Sequence, residues 1–266
     1  MRRFGDPPFT VGLDFAGTVE AVGDAVTRFR PGDDVFGART GAMAEYVTVP
    51  EDRAIALKPA NVTFEEAAGV GIAGITALQG LRDHAQVRSG QSVLIEGASG
   101  GVGTLAVQIA KALGAEVTAV CSTDKVDNAR SLGADRVIDY KRDDFIRNGT
   151  RYDAVIAVQS GRSWAAYRRI LKPEGTFVLI GAPKGRTLGP LLHLGRMFIA
   201  TKIRRTPTYK FFVAKLTGDD VNAMGELLAS GKVRTFVERT YPLTEAAEAF
   251  RYIGEGHAQG KVIVTV

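Results

Sequence analysis

The chain has 266 residues, 45% of them apolar and 24% charged, with a formal net charge of +5; this composition fits a soluble globular protein with room for one or two cored domains. No apolar run is long enough to span a bilayer, and the basic start Met1-Arg2-Arg3 has no apolar segment behind it, so neither a secretory leader nor membrane insertion is expected. The single cysteine, Cys121, excludes an intramolecular disulfide and a multi-cysteine zinc site, and points to a reducing, cytoplasmic setting.

In chain order, residues 1–57 read as β-rich. Residues 11–23 alternate and are cut by glycines, residues 29–37 place a Pro31-Gly32 turn between apolar positions, and residues 41–49 form a further strand candidate. Short strands and turns of this kind suggest a barrel-like unit. Thr63 then stands as N-cap with Glu66 at the capping-box position, opening a helix, and a second helix is predicted over residues 74–83.

The rest is organised around Ser92-Val93-Leu94-Ile95-Glu96-Gly97-Ala98-Ser99-Gly100-Gly101-Val102-Gly103. Val93, Leu94 and Ile95 form the apolar run of a strand buried on both faces. Val102, Ala106, Ile109 and Leu113 follow at helical spacing. Glycines between the two let the backbone turn sharply and approach a pyrophosphate, which the helix N-terminus attracts with free N–H groups and a partial positive charge. A glycine-rich turn can also be a mere tight connection. Here a strand precedes it, a helix follows, and a second strand comes at residues 116–121, so dinucleotide binding is expected.

Further strands are predicted over 136–140, 153–158 and 176–180, with a helical stretch through 128–132. This rhythm predicts right-handed βαβ units in a doubly wound parallel sheet of the Rossmann kind. Residues 184–210 interrupt it and read either as a lid or membrane-surface helix, or as a packed insertion with a solvated basic face; the second is preferred. Lys202-Ile203-Arg204-Arg205 is the one local basic cluster, so the charge reads as solvated surface and no nucleic acid is expected. Residues 211–214 resemble a sixth strand, 221–230 a helix stopped by Gly231, 246–253 a helix, and 261–266 a terminal strand.

The phrases Gly12-Leu13-Asp14-Phe15-Ala16-Gly17, Gly97 to Gly103, Leu132-Gly133-Ala134-Asp135 with Val137-Ile138-Asp139-Tyr140, and Gly260-Lys261-Val262 resemble the medium-chain dehydrogenase/reductase superfamily, in its zinc-free quinone-oxidoreductase branch. The ending Gly256-His257-Ala258-Gln259-Gly260-Lys261 is similar to that of the reticulon-interacting mitochondrial reductases and their bacterial relatives. The resemblance implies an α/β fold: a GroES-like β-barrel domain, residues 1–57 and 236–266, split around an NADP-binding Rossmann domain, residues 58–235. Family members carry further strands ahead of the Gly12 to Gly17 phrase. This chain starts just before it, so a barrel short of those strands, with an exposed edge, is expected.

At the end of the second predicted strand, Ser122 can donate to a 2′-phosphate and Lys125 can neutralise it, which favours NADPH over NADH. Asp124 is the contrary hint, unless it caps the next helix. The resemblance adds Tyr140 beside the adenosine phosphate, and Thr76, Ile180, Gly181, Phe212 and the turn His257-Ala258-Gln259 near the nicotinamide. Each also has a structural reading: Tyr140 as a packed strand-end aromatic, Thr76 as a helix hydroxyl bonded to its own backbone, His257 as a surface-turn histidine. Ser99, Gly100, Gly101, Val102 and Gly103 are expected to bind the cofactor at its pyrophosphate.

Zinc-dependent relatives use a His-Glu pair where this chain has Leu13-Asp14, and Leu13 has no ligand atom, so no metal is expected. Hydride transfer to a quinone, enone or other activated carbonyl acceptor then fits better than alcohol oxidation. No side chain is a compelling proton donor; Tyr46 and Thr76 are the candidates. A non-catalytic NADPH-binding protein is the rival reading. The family also implies a homodimer.

Overall fold

A computed structural model of the chain describes residues 11–180, 207–256 and 258–266. Gly181, His257 and most of the 184–210 segment lie outside the described residues. The chain divides into two compact units, the first taking Met1–Ile75, Lys215–Gly231 and Thr235–Val266, the second Thr76–Ala214 and Lys232–Arg234.

In the first unit, β1 (Asp14–Thr18), β2 (Asp34–Ala38) and β3 (Ile55–Leu57) form an antiparallel sheet in that order. Gly32, at φ +92°, makes the expected turn before β2. Phe15, Phe29, Val35 and Ile55 form the small core, with Val47 and Val49 packed against it. The strand expected over 41–49 is absent. Instead the Gly41 amide donates to the Gly12 carbonyl and the Met43 amide to the Val11 carbonyl, folding the segment as a loop. The alternation of Val47 and Val49 reports their packing and not a ladder.

Thr63 and Glu66 form the reciprocal capping box of α1 (Phe64–Ala68), with bonds of 3.0 and 3.2 Å. Among the last elements, β10 (Val237–Pro242) and β11 (Lys261–Thr265) pair in parallel, with α7 (Ala246–Gly254) between them in sequence. α6 (Gly218–Ala229) packs on β3, and α1 packs on β1. Those helices group with the small sheets in this unit.

Asp14 ties this unit together. Its Oδ1 accepts the Ile72 amide at 2.6 Å, at the start of α2 (Gly71–Gln79), and its Oδ2 accepts Lys261 Nζ at 3.0 Å, on β11. A Cβ on Gly71 would lie 2.4 Å from the same carboxylate, so glycine is required there. α2 continues into a wider helical turn over Gly80–His84.

The second unit is a six-stranded parallel sheet. Its strands are β4 (Ser92–Glu96), β5 (Glu116–Cys121), β6 (Arg136–Asp139), β7 (Tyr152–Ala157), β8 (Leu171–Leu179) and β9 (Thr208–Phe211), in the order β6-β5-β4-β7-β8-β9. The connections carry α3 (Gly101–Ala112), α4 (Val126–Ser131) and α5 (Trp164–Ile170). Strand order steps outward in one direction from β4 and in the other from β7, so the winding reverses between these two neighbours. Ligands of such sheets bind at the strand C-termini at this reversal.

α3 is buried from Gly103 through Ala110, while Val102 and Leu113 are half-buried. The sixth strand lies three residues earlier than expected. Tyr209 stacks on Phe177, with centroids 5.4 Å apart, and sets the register with β8. Phe211 ends the strand, the chain leaves the sheet at Phe212, and Val213 is 77% exposed. Among the described residues, no helix is long and apolar enough to cross a membrane.

Candidate functional site

The glycine-rich turn lies at the reversal point, on the C-terminal end of β4. Gly97 adopts φ +79°, and the amides of Gly97 and Ala98 both donate to the Val120 carbonyl on β5. A Cβ on Gly103 would stand 2.0 Å from the Gly97 carbonyl oxygen, so the helix reaches this close to the turn only with glycine. Gly100 is the N-cap of α3 and offers no side-chain acceptor. The first-turn amides of Gly101, Val102 and Gly103 therefore keep their donors for an external acceptor, at the positive pole of a twelve-residue helix. A pyrophosphate fits this arrangement.

Next to it, the C-terminal ends of β5 and β6 bring together Ser122, Lys125 and Tyr140. The Tyr140 amide donates to the Cys121 carbonyl, and the Tyr140 side chain is 53% exposed. Ser122 is buried, and its hydroxyl donates to Asp124 Oδ1 at 2.6 Å. That bond holds the Asp124 carboxyl below the usual carboxylate range. Asp124 thus pairs with Ser122, and α4 has no side-chain cap. Thr123 donates likewise to Asp139, whose carboxyl is also lowered. Burial, with Asp139 and Asp124 nearby, pushes the Cys121 thiol up to about 11, so it stays protonated and unreactive.

A second group forms around Gly80, whose added Cβ would lie 3.0 Å from Ile180 and 3.6 Å from the Phe212 ring. Phe212 stacks on His84, with centroids 4.0 Å apart and planes at 21°. Burial, with Lys210 nearby, lowers the His84 pKa, so the imidazole is neutral at pH 7. Thr76 lies one helical turn before Gly80 and is half-buried.

Other expected residues belong to the first unit. Tyr46 is 74% exposed on the 41–49 loop of the first unit. Ala258 and Gln259 also belong to the first unit, where the Gln259 amide donates to Glu238 at 2.7 Å. Gly181 and His257 lie outside the described residues. The sequence reading assigns no functional role to Glu96, His84 or the loop after β7. Glu96 carries one readable signal, an acidic residue ending an apolar strand immediately before the glycines.

Two family models match the chain: an alcohol dehydrogenase GroES-like domain over residues 2–59 and a zinc-binding dehydrogenase over residues 132–264. The chain is 35% identical to the chloroplastic quinone-oxidoreductase QR1 of Triphysaria versicolor, over 99% of this chain and 80% of that protein. It is 33% identical to the mitochondrial NAD(P)H oxidoreductase RTN4IP1 of Mus musculus, over 97% and 71% respectively. A quinone oxidoreductase structure from Coxiella burnetii superposes with a TM-score of 0.84 at 30% identity, covering 98% of this chain and 80% of that one.

Proposed function

Since the chain belongs to the quinone-oxidoreductase-like medium-chain dehydrogenase/reductases, and is on that ground an NAD(P)H-dependent oxidoreductase, we propose that NADPH is its reductant. We propose further that a quinone, enone or other activated carbonyl compound is its acceptor, with no zinc in the step. The observation that carries the reading is the Gly97 to Gly103 turn at the sheet's reversal point, with the uncapped α3 behind it.

When bound, the reduced nicotinamide supplies the hydride. The amides of Gly101, Val102 and Gly103 hold the pyrophosphate. Lys125 and the exposed Tyr140 face the adenosine phosphate. Ser122 takes part by turning its hydroxyl from Asp124, which makes Asp124 the residue that opposes a 2′-phosphate. Ile180 and Phe212 give a dry surface beside the neutral His84. Zinc does not fit the residues present: Leu13 has no ligand atom, and both oxygens of Asp14 are engaged by Ile72 and Lys261. We place the protein in the cytoplasm, and as a homodimer along the outer edge of β9, where Phe211 and Val213 are exposed.

Fluorescence titration with NADPH and NADH, run beside turnover of 1,4-benzoquinone, tests the reading. NADPH should bind more tightly and be oxidised when quinone is added. Lys125→Ala should weaken NADPH about tenfold while leaving NADH unchanged, the loss of one charge-assisted phosphate contact. Equal loss for both nucleotides would refute the role of Lys125. Tight binding without turnover of any acceptor would favour a non-catalytic NADPH-binding protein, and no binding would remove the reading.

A further inference from the structure

Glu96 is a buried carboxylic acid that the proposed chemistry leaves unused. It ends β4, directly before Gly97, and is 9% exposed. Its Oε2 accepts the Tyr167 hydroxyl of α5 at 2.7 Å, and Tyr167 is wholly buried. The same hydroxyl lies 3.4 Å from Ser160 Oγ and receives the Arg162 amide at 3.4 Å. The Gly161 amide also faces the Glu96 carboxylate. Residues 158–163, the loop after β7, are thus bound to Glu96 from several sides. The Val158 amide is tied to the Glu96 carbonyl as well, and Gln159 packs against Gly97, where an added Cβ would meet it at 3.3 Å.

One carboxylate therefore joins the two loops that border the reversal of the sheet. The charged and titratable groups facing it are few. From α5 comes Tyr167. From the loop comes Arg162, whose guanidinium is shared with Asp144 at 3.6 Å. The strand neighbours Val120 and Ala157 have no titratable group. No cation pairs directly with Glu96 among the described residues, so an anion arriving at the turn one residue away meets a like charge that the protein screens poorly.

We propose that Glu96 is a positioning residue for the dinucleotide, fixing the 158–163 loop against the phosphate turn, and that its carboxylate takes up a proton from solvent when the anionic dinucleotide binds. The inference rests on the dinucleotide reading above. The step is proton uptake alone: an oxygen of the carboxylate gains a proton and becomes the hydroxyl of a neutral acid, with no change of redox state. Burial already pushes the free carboxyl up to about 7, so the linkage operates at neutral pH. A second negative charge raises that value further. The protonated form therefore binds the anion better, and affinity falls as pH rises above 7.

Isothermal titration of NADPH at pH 7.5, in two buffers of different ionisation enthalpy, measures the proton count directly. The wild-type chain should take up about half a proton per NADPH bound, for a binding-induced rise of about one pH unit. Its affinity should fall about tenfold between pH 6.5 and pH 9 beyond any change seen for Glu96→Gln. Glu96→Gln, which retains an acceptor for Tyr167, should show neither effect. Tyr167→Phe removes a donor that favours the ionised form, so the midpoint of the pH dependence should move up. Equal proton uptake by the wild-type chain and Glu96→Gln, or tight wild-type binding with no uptake, would overturn the proposal while leaving the cofactor reading intact. An unmoved midpoint in Tyr167→Phe would also count against it. Failure of the wild-type chain to bind either NADPH or NADH would instead remove the cofactor reading and the inference with it.

Discussion

A buried residue states its energetics through its neighbours, and Glu96 shows this most clearly. Its carboxyl is raised from about 4.5 to about 7 because burial disfavours the charge more than Tyr167, Arg162 and Gly161 favour it. A group with a raised folded-state pKa adds stability below its unfolded value and loses it as pH climbs through the folded value. The stability advantage of Glu96→Gln over wild type should therefore grow by about 2–3 kcal/mol between pH 5 and pH 8. Urea denaturation of both proteins at the two pH values measures it, and a constant difference would contradict the account. The glycines of the turn were legible from residue type alone, because each answers a local steric demand. The role of Glu96 was not, since its hydroxyl partner Tyr167 lies 71 residues away.

Among the elements, those with a strong local signal stand close to where the sequence puts them. The capping box starts α1, and β4, β5 and α3 need no correction beyond a residue or two. The errors fall where tertiary contacts decide. β9 takes its register with β8 at Tyr209, ahead of most of the apolar run, and the amides of Gly41, Ala42 and Met43 go to Gly12 and Val11. β3, β10 and α5 are short or polar and carry little periodic signal in the sequence. Asp14 joins β1, α2 and β11, so its loss removes an acceptor from the half-buried Ile72 amide and the ion-pair partner of the largely buried Lys261 ammonium. Asp14→Ala should cost about 3 kcal/mol in urea denaturation. Asp14→Asn, which keeps an acceptor for Ile72, should cost less; equal costs would place the energy elsewhere.

For the molecule as a whole, assembly is the property the fold leaves most open to test. Among the described residues β9 is the edge strand of its sheet; Phe211 ends it exposed, and the exposed Val213 follows just beyond. Val213→Asp should convert the proposed dimer to monomer in sedimentation velocity, because a buried interface tolerates an unpaired carboxylate poorly; an unchanged sedimentation coefficient would exclude this edge. The sequence by itself determined the class of fold and the place of the phosphate turn, since strand–helix alternation and glycine spacing are local consequences of backbone sterics and apolar periodicity. Only the tertiary structure decided the strand order that sets β4 beside β7, the grouping of α1 and α6 with the small sheets, and the burial of Glu96 against Tyr167. These depend on contacts between residues far apart in the chain, whose energy no local pattern records.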